Sequence, residues 1–338
     1  MAGEPSGYDA RVGTGIIAGG KKDSKEAKER VESLIGRTIS DRYKIVDVIA
    51  MGGLGAVYRA KHMHMRKELA VKVLHPESEN FPELVSRFER EAVACAHITH
   101  KYVANASYFG KFDGESRFLV HEYVEGETVN DILARGPVPV EKAAEIAKQM
   151  AAGLGAAHEN GIIHRDVKPR NIMVSGDGDD MVVKLIDFGL AKVPVDELTT
   201  ASRDPDWAPA RDLTNAGVVM GTVAYMAPET ALGMSNVRER ADLYSLGLIF
   251  YEMITGLHPF DATDPTVMFA KQRTEMPPPI STRNPNVKVS GALEQVIMKL
   301  LAKDPSERYP DASAVIAAIE AAMSPGPKLA APTSAAAA

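Results

Sequence analysis

Two short apolar runs, Ile172-Met173-Val174 and Val182-Val183-Lys184-Leu185-Ile186, lie either side of Ser175-Gly176-Asp177-Gly178-Asp179-Asp180. Gly and Asp tolerate the backbone of a tight turn, so this spacing predicts a β-hairpin folded near Asp179. Such a hairpin also fixes what stands at its open end. Asn171 precedes the first run and Asp187 follows the second, so the two emerge side by side. Asp166 and Lys168 sit just upstream, in His164-Arg165-Asp166-Val167-Lys168-Pro169-Arg170-Asn171. Oxygen-bearing side chains gathered in this way can hold a hard cation between protein and phosphate oxygens. Magnesium suits them better than a transition metal, because no His/Cys set converges here. Turn-capping would account for one carboxylate or amide, but not for Asp166, Lys168, Asn171 and Asp187 together.

The rest of the chain divides by its period. From Tyr43 to Leu74 the text is strand-like: Tyr43-Lys44-Ile45-Val46-Asp47-Val48-Ile49, then Ala56-Val57-Tyr58-Arg59-Ala60, then Leu69-Ala70-Val71-Lys72-Val73-Leu74. Gly52, Gly53 and Gly55 separate the first two runs, where absent Cβ atoms would let backbone N–H groups approach phosphates. Taken in isolation, those glycines read more readily as a plain β-turn. Alternation puts Ala70 and Lys72 on one face and Val71 and Val73 on the other. A lysine among apolar neighbours needs an anion, either a phosphate or a carboxylate. A helix over 82–98 offers the carboxylate: Phe88, Glu91, Cys95 and Ile98 share a face, and Glu89 falls off it.

Further strands are predicted near 103–110 and 118–120, and helices over 140–159, 240–255, 265–273, 290–302 and 312–322. These patterns give an α+β chain with a small β-rich lobe (41–121), a hinge (122–125) and a larger helical lobe (126–322). Residues 1–40 form an extension, mostly disordered, with a short helix over 23–36 stopped at Gly36. Residues 323–338 read as a Pro/Ala-rich disordered tail.

Composition narrows the function. The chain has 338 residues, 39 Lys+Arg and 45 Asp+Glu, a formal charge of −6. With a pI near 5.9 it lacks the basic surplus of a nucleic-acid binder. Cys95 is the one cysteine, which excludes an internal disulfide and fits a reducing compartment. No apolar run is long enough to span a membrane and no signal-peptide pattern opens the chain, so the expected location is cytoplasmic.

Taken together, the ordered motifs resemble the eukaryotic-like (Hanks-type) serine/threonine protein kinases, in particular the bacterial branch. The resemblance spans about 40–322. It rests on the Gly-rich loop, Ala70-Val71-Lys72, Glu91, His164-Arg165-Asp166 with Asn171, Asp187-Phe188-Gly189 and Ala227-Pro228-Glu229. Asp242 in Ala241-Asp242-Leu243-Tyr244-Ser245-Leu246-Gly247 and Arg308 in Asp304-Pro305-Ser306-Glu307-Arg308-Tyr309 match as well. It implies a bilobal protein-kinase fold and an ATP-dependent transfer of phosphate to Ser/Thr hydroxyls of proteins. Asp166 would take or orient the acceptor proton, and Lys168 would neutralise the γ-phosphoryl. Asn171 and Asp187 would hold Mg2+, for which Mn2+ can substitute. Lys72, fixed by Glu91, would grip the α/β-phosphates. Adenine would lie between Ile49, Val57 and Ala70 above and Met173 below, its edge read by backbone from Glu122 to Val124. Glu229 and Arg308 would form a structural ion pair. Lys168 and Gly221-Thr222 favour Ser/Thr over Tyr acceptors.

Arg165 resembles the family's phosphate-awaiting arginine, which implies autophosphorylation among Thr199, Thr200, Ser202 and Thr214, with Thr214 foremost. A homodimer for trans-autophosphorylation belongs to the same resemblance; a nucleic-acid or membrane partner does not. There are departures. Ala50 replaces the first family glycine, a cost only if that backbone is left-handed. His121 stands at the back of the adenine pocket, read as a neutral buried histidine with one hydrogen bond rather than a pH sensor. His62 and His64 read as a solvated turn and Cys95 as core. Arg170 stands where many basic-directed kinases carry an acid, which speaks against a strong preference for basic residues before the acceptor. The competing function is a nucleotide-binding pseudokinase or scaffold, suggested only by Ala50 and His121.

Overall fold

The computed structural model describes residues 28–52, 54–113, 116–188, 221, 223–232 and 237–324, without the side chains of Arg87, Glu91, Ala94 and Leu232. Gly53, the Glu91 side chain, Thr199, Thr200, Ser202 and Thr214 therefore lie outside the described residues, as do 1–27 and 325–338.

The small lobe is built on β1 (Thr38–Ile39), β2 (Tyr43–Met51), β3 (Gly55–His62), β4 (Glu68–Leu74), β5 (Ala106–Phe112) and β6 (Ser116–Glu122). Their order is β1-β2-β3-β4-β6-β5, with every neighbouring pair antiparallel. Alternation sorts the side chains: Tyr58, Ala60, Val71 and Val73 enter one core with Ile39, Ile45, Phe118 and Val120. Directly opposed residues share a face, and the register Val57↔Lys72, Ala70↔His121 gathers those four on the other side. Two helices follow β4, α1 (Pro76–Glu79) and α2 (Pro82–Ala96). The α2 residues Val85, Phe88 and Ala92 cover part of this second face against Leu74 and Leu119. The uncovered part looks toward the large lobe.

The first described residues strap the far side of the sheet. Residues 28–32 are helical. Val31 is buried in the sheet's core, and the Tyr58 hydroxyl donates to its carbonyl at 3.2 Å. Gly36, at φ +83°, turns the chain so that its N–H donates to Ile45 O (2.9 Å).

One strand differs from the sequence expectation. The stretch near 103–110 becomes β5 only from Ala106. Val103 instead bridges Leu185 in parallel, with Leu185 N–H donating to Tyr102 O and Ala104 N–H to Leu185 O, both 2.9 Å. The edge of the hairpin presents unpaired backbone groups, and 102–104 satisfies them.

In the large lobe β7 (Glu127–Thr128) precedes α3 (Val129–Leu133) and α4 (Val140–Glu159); β8 (Ile172–Ser175) and β9 (Val182–Leu185) then form the anticipated hairpin. The remaining helices are α5 (Glu239–Thr255), α6 (Pro265–Thr274), α7 (Ile280–Arg283), α8 (Gly291–Leu300) and α9 (Ala312–Met323). Helix α5 is buried on all sides from Ala241 to Tyr251, so it forms the axis around which the lobe packs. No helix among the described residues is long and apolar enough to cross a membrane.

Candidate active site

The hairpin register pairs Ile172 with Leu185, and Ile186 N–H donates to Asn171 O at 2.9 Å. Asn171 and Asp187 are thereby held at one end of the hairpin. Gln149 of α4 fixes the hairpin from below: its Nε2 donates to Met181 O (3.0 Å) and its Oε1 accepts from Val183 N–H (2.8 Å).

The loop carrying Asp166 is held by Asp242 of α5. Its carboxylate accepts from His164 N–H (2.8 Å), Arg165 N–H (2.9 Å) and His158 Nε2 (2.8 Å). Arg165 is at φ +62°, a backbone state that costs a non-glycine residue energy and persists where surrounding contacts impose it. His164 is buried and stacks on Phe188 at 4.4 Å. Phe188 packs in turn with Cys95, Ile98 and Val103. Cys95 is core, as its helical position suggested.

Around Asp166 the polar groups interlock. Lys168 Nζ lies 2.8 Å from Asp166 Oδ2, and Asn171 Nδ2 donates to the same oxygen at 3.2 Å and to Asp166 O at 2.9 Å. Lys72 crosses from the small lobe to Asp187, Nζ to Oδ1, at 2.5 Å. Burial alone would raise the Asp187 carboxyl, but the ammonium groups of Lys72 and then Lys168 hold it well below the usual carboxylate range. The site can therefore keep an ionised carboxylate, a carboxamide and two lysines in one cleft. The Asp187 carboxylate and the Asn171 carboxamide offer oxygens, the donor type a magnesium ion prefers.

Above the cleft, Gly55 packs so closely on β4 that a Cβ would stand 2.2 Å from Val73 O. Gly52 N–H donates to Gly55 O (2.9 Å), and Gly52 O accepts from His75 Nε2 (3.0 Å). Ala50 is not among the residues at positive φ and pairs with Val57 as extended strand, so the left-handed penalty does not arise. Ile49 is exposed, and Val57, Ala70 and Met173 are half-buried toward the cleft. Glu122 N–H is committed to Asn105 O (2.8 Å) and its carboxylate to Lys184 (2.9 Å). Val124 N–H and C=O make no hydrogen bond to a described residue. Val124 therefore offers a free backbone edge at the hinge.

His121 departs from expectation. Its ring makes no hydrogen bond to a described residue, and burial, reinforced by Lys72, pushes its pKa down to about 4. It is neutral at physiological pH, as read, but without the anticipated bond. His62 Nδ1 caps its turn by accepting from His64 and Met65 N–H, both 3.2 Å.

Farther from the cleft, Arg308 grips Glu229 with both nitrogens, at 2.7 and 2.8 Å. Its other donors reach Ala302, Arg240 and Lys303 carbonyls. The partners His158, Gln149 and His75 were not singled out from sequence. Gln149 alone left a signal there, a polar residue on the inward stripe of α4.

The protein kinase domain family matches residues 43–318. The serine/threonine-protein kinase pkn3 of Myxococcus xanthus is 37% identical over 292 residues, covering 86% of this chain and 51% of that protein. PknB of Mycobacterium leprae, also a serine/threonine-protein kinase, is 36% identical over 279 residues, or 81% and 42% of the two chains. The chain thus spans about half or less of these relatives' lengths. Among solved structures, the PknI kinase domain of Mycobacterium tuberculosis superposes with a TM-score of 0.62 at 26% identity, covering 85% of this chain and 98% of that one. With the match over 43–318 and these bacterial relatives, the chain belongs to the protein kinase domain family.

Proposed function

We propose that this chain is a serine/threonine protein kinase using ATP and Mg2+. The observation that carries the reading is the meeting of Lys72 and Asp187 across the lobes at 2.5 Å, beside Asp166 with Lys168 and Asn171 bound to it. The chemistry that magnesium would supply here is positive charge against the phosphoryl oxygens. Asp187 and the Asn171 Oδ1 are the oxygens that would hold it. On this reading Lys72 leaves Asp187 for the α/β-phosphates, and Val124 N–H and C=O take the adenine edge. Asp166 orients the acceptor hydroxyl and receives its proton as the new O–P bond forms. The bond from the γ-phosphorus to the bridging oxygen breaks, and ADP departs. Lys168, already bound to Asp166, faces the transferring phosphoryl charge. Arg165, held by Asp242, would receive a phosphate placed by autophosphorylation within 199–214.

Transfer of labelled phosphate from ATP to the chain itself and to a generic acceptor protein tests the reading. Asp166→Asn is expected to lose about 10²–10⁴-fold in rate, and Lys72→Met to lose transfer as well. Wild type indistinguishable from both variants would return the chain to a nucleotide-binding scaffold. Mass spectrometry of the labelled chain checks for phosphate at Thr199, Thr200, Ser202 or Thr214, and a rate that rises with protein concentration would mark transfer between two copies.

A further inference from the structure

The turn between β3 and β4, His62-Met63-His64-Met65-Arg66-Lys67, plays no part in the chemistry of the cleft. Its shape is fixed from inside. His62 N–H donates to Lys67 O and Arg66 N–H to His62 O, both 2.8 Å, and His62 Nδ1 accepts from His64 and Met65 N–H, both 3.2 Å. Met63 N–H ties the turn to Arg42 O at 2.7 Å. Met63 and Met65 are left open to water, 49% and 66% exposed. One exposed methionine is ordinary; two at one apex among cations form a patch.

The charge around that apex is one-sided. From 41 to 68 the chain carries Asp41, Asp47 and Glu68 against Arg42, Lys44, Arg59, Lys61, Arg66 and Lys67. Arg59 takes up both Asp47 (2.7 Å) and Glu68 (3.2 Å), although Glu68 stands opposite Lys61 in the register. That leaves Asp41 against Arg42, Lys44, Lys61, Arg66 and Lys67, all exposed and none in an ion pair with a described residue. Lys44 and Lys61 even stand directly opposite one another, a like-charge pair that costs the sheet stability. The chain as a whole is at −6, so an anionic surface repels it in general and attracts it here.

A hairpin apex is convex, so it has no floor on which to lay a peptide. A phosphodiester backbone would meet the cations and leave both methionines in water. The headgroup region of an anionic bilayer takes both, cations against lipid phosphates and apolar side chains at the acyl boundary. No described helix crosses a membrane, but this turn can rest on one.

We propose that the β3–β4 turn docks this chain on anionic lipid surfaces, with Arg42, Lys44, Lys61, Arg66 and Lys67 against the headgroups and Met63 and Met65 inserted between them. Co-sedimentation of the full chain with phosphatidylcholine vesicles, with and without phosphatidylglycerol, tests this. Wild type is expected to sediment with the anionic vesicles and not with the neutral ones. Raising the salt from about 0.1 to about 1 M shortens the screening length from about 10 to about 3 Å and releases it. Lys61→Gln with Lys67→Gln lowers the affinity about thirtyfold, and Met63→Ser with Met65→Ser about tenfold. Both double variants keep the wild-type thermal midpoint, because all four side chains are exposed. If either does not fold, the salt series on wild type and Arg66→Gln carry the comparison. Equal sedimentation with neutral vesicles, none with either kind, or an affinity unmoved by either pair of substitutions overturns the proposal. So does tighter binding, at equal anionic charge, to poly-glutamate or to a single-stranded oligonucleotide.

Discussion

A carboxylate inside an apolar helix is tolerable only if its partners are built in, and Asp242 has three: two backbone N–H groups and the His158 ring. His121 is the reverse case, a titratable ring with burial and a neighbouring Lys72 but no hydrogen bond to a described residue. Its pKa in the fold, about 4, lies below the 6.5 of the unfolded chain. As pH falls through 6.5 the unfolded chain takes up the proton first, so stability drains away between pH 6.5 and about 4. The full effect is about 3 kcal/mol. His121→Leu should therefore lose less stability than wild type between pH 7 and pH 4.5, as read by urea unfolding at both. Equal losses would mean that the ring is solvated. At this scale Lys72, Asp166, Asn171 and Asp187 were legible in the sequence because their spacing against an apolar period fixes where they emerge. His158 and His75 were not, because each serves a carboxylate or a carbonyl brought near by a different element. No local pattern records such a meeting.

Among the elements, α2 is held by charge as well as by its apolar stripe. Arg117 of β6 binds Glu79 of α1 through both its side chain and its N–H, and its Nε reaches Glu89 of α2 at 3.0 Å. Glu79 is almost wholly buried, so Arg117→Met would strand its charge. We expect a loss of about 2–4 kcal/mol in unfolding free energy, part of it restored by adding Glu79→Gln. A double variant no better than the single one would show that the pairing carries little. The stripe of α2 was readable, with Phe88, Cys95 and Ile98 all buried, and Glu89 fell off it as expected. The start of β5 was misread because 102–104 is apolar enough for a strand, yet pairs with β9. Strand period tells which side chains are buried, not which neighbour supplies the hydrogen bonds.

At the scale of the whole chain, the two lobes and the helix over 240–255 followed from the change of period, whereas its place as the axis of the large lobe came only from the packing. The strap over the small lobe did not, because a short amphipathic segment gives no sign of what it covers. The family match begins at residue 43, beyond Val31, Gly36 and Ile39. A chain cut to begin there would uncover the Tyr58 hydroxyl and leave the Val31 site empty. Losing these contacts should cost about 2–5 kcal/mol of unfolding free energy, seen as a lower thermal midpoint by circular dichroism. An unchanged midpoint would show the strap to be dispensable.

The Lys72–Asp187 link also bears on how a nucleotide would load. Both charges already have a counter-ion, so on the proposed reading an arriving triphosphate displaces a partner and does not neutralise a bare site. Occupancy then amounts to an exchange of ions, with ATP and its metal each replacing one end of an existing bond.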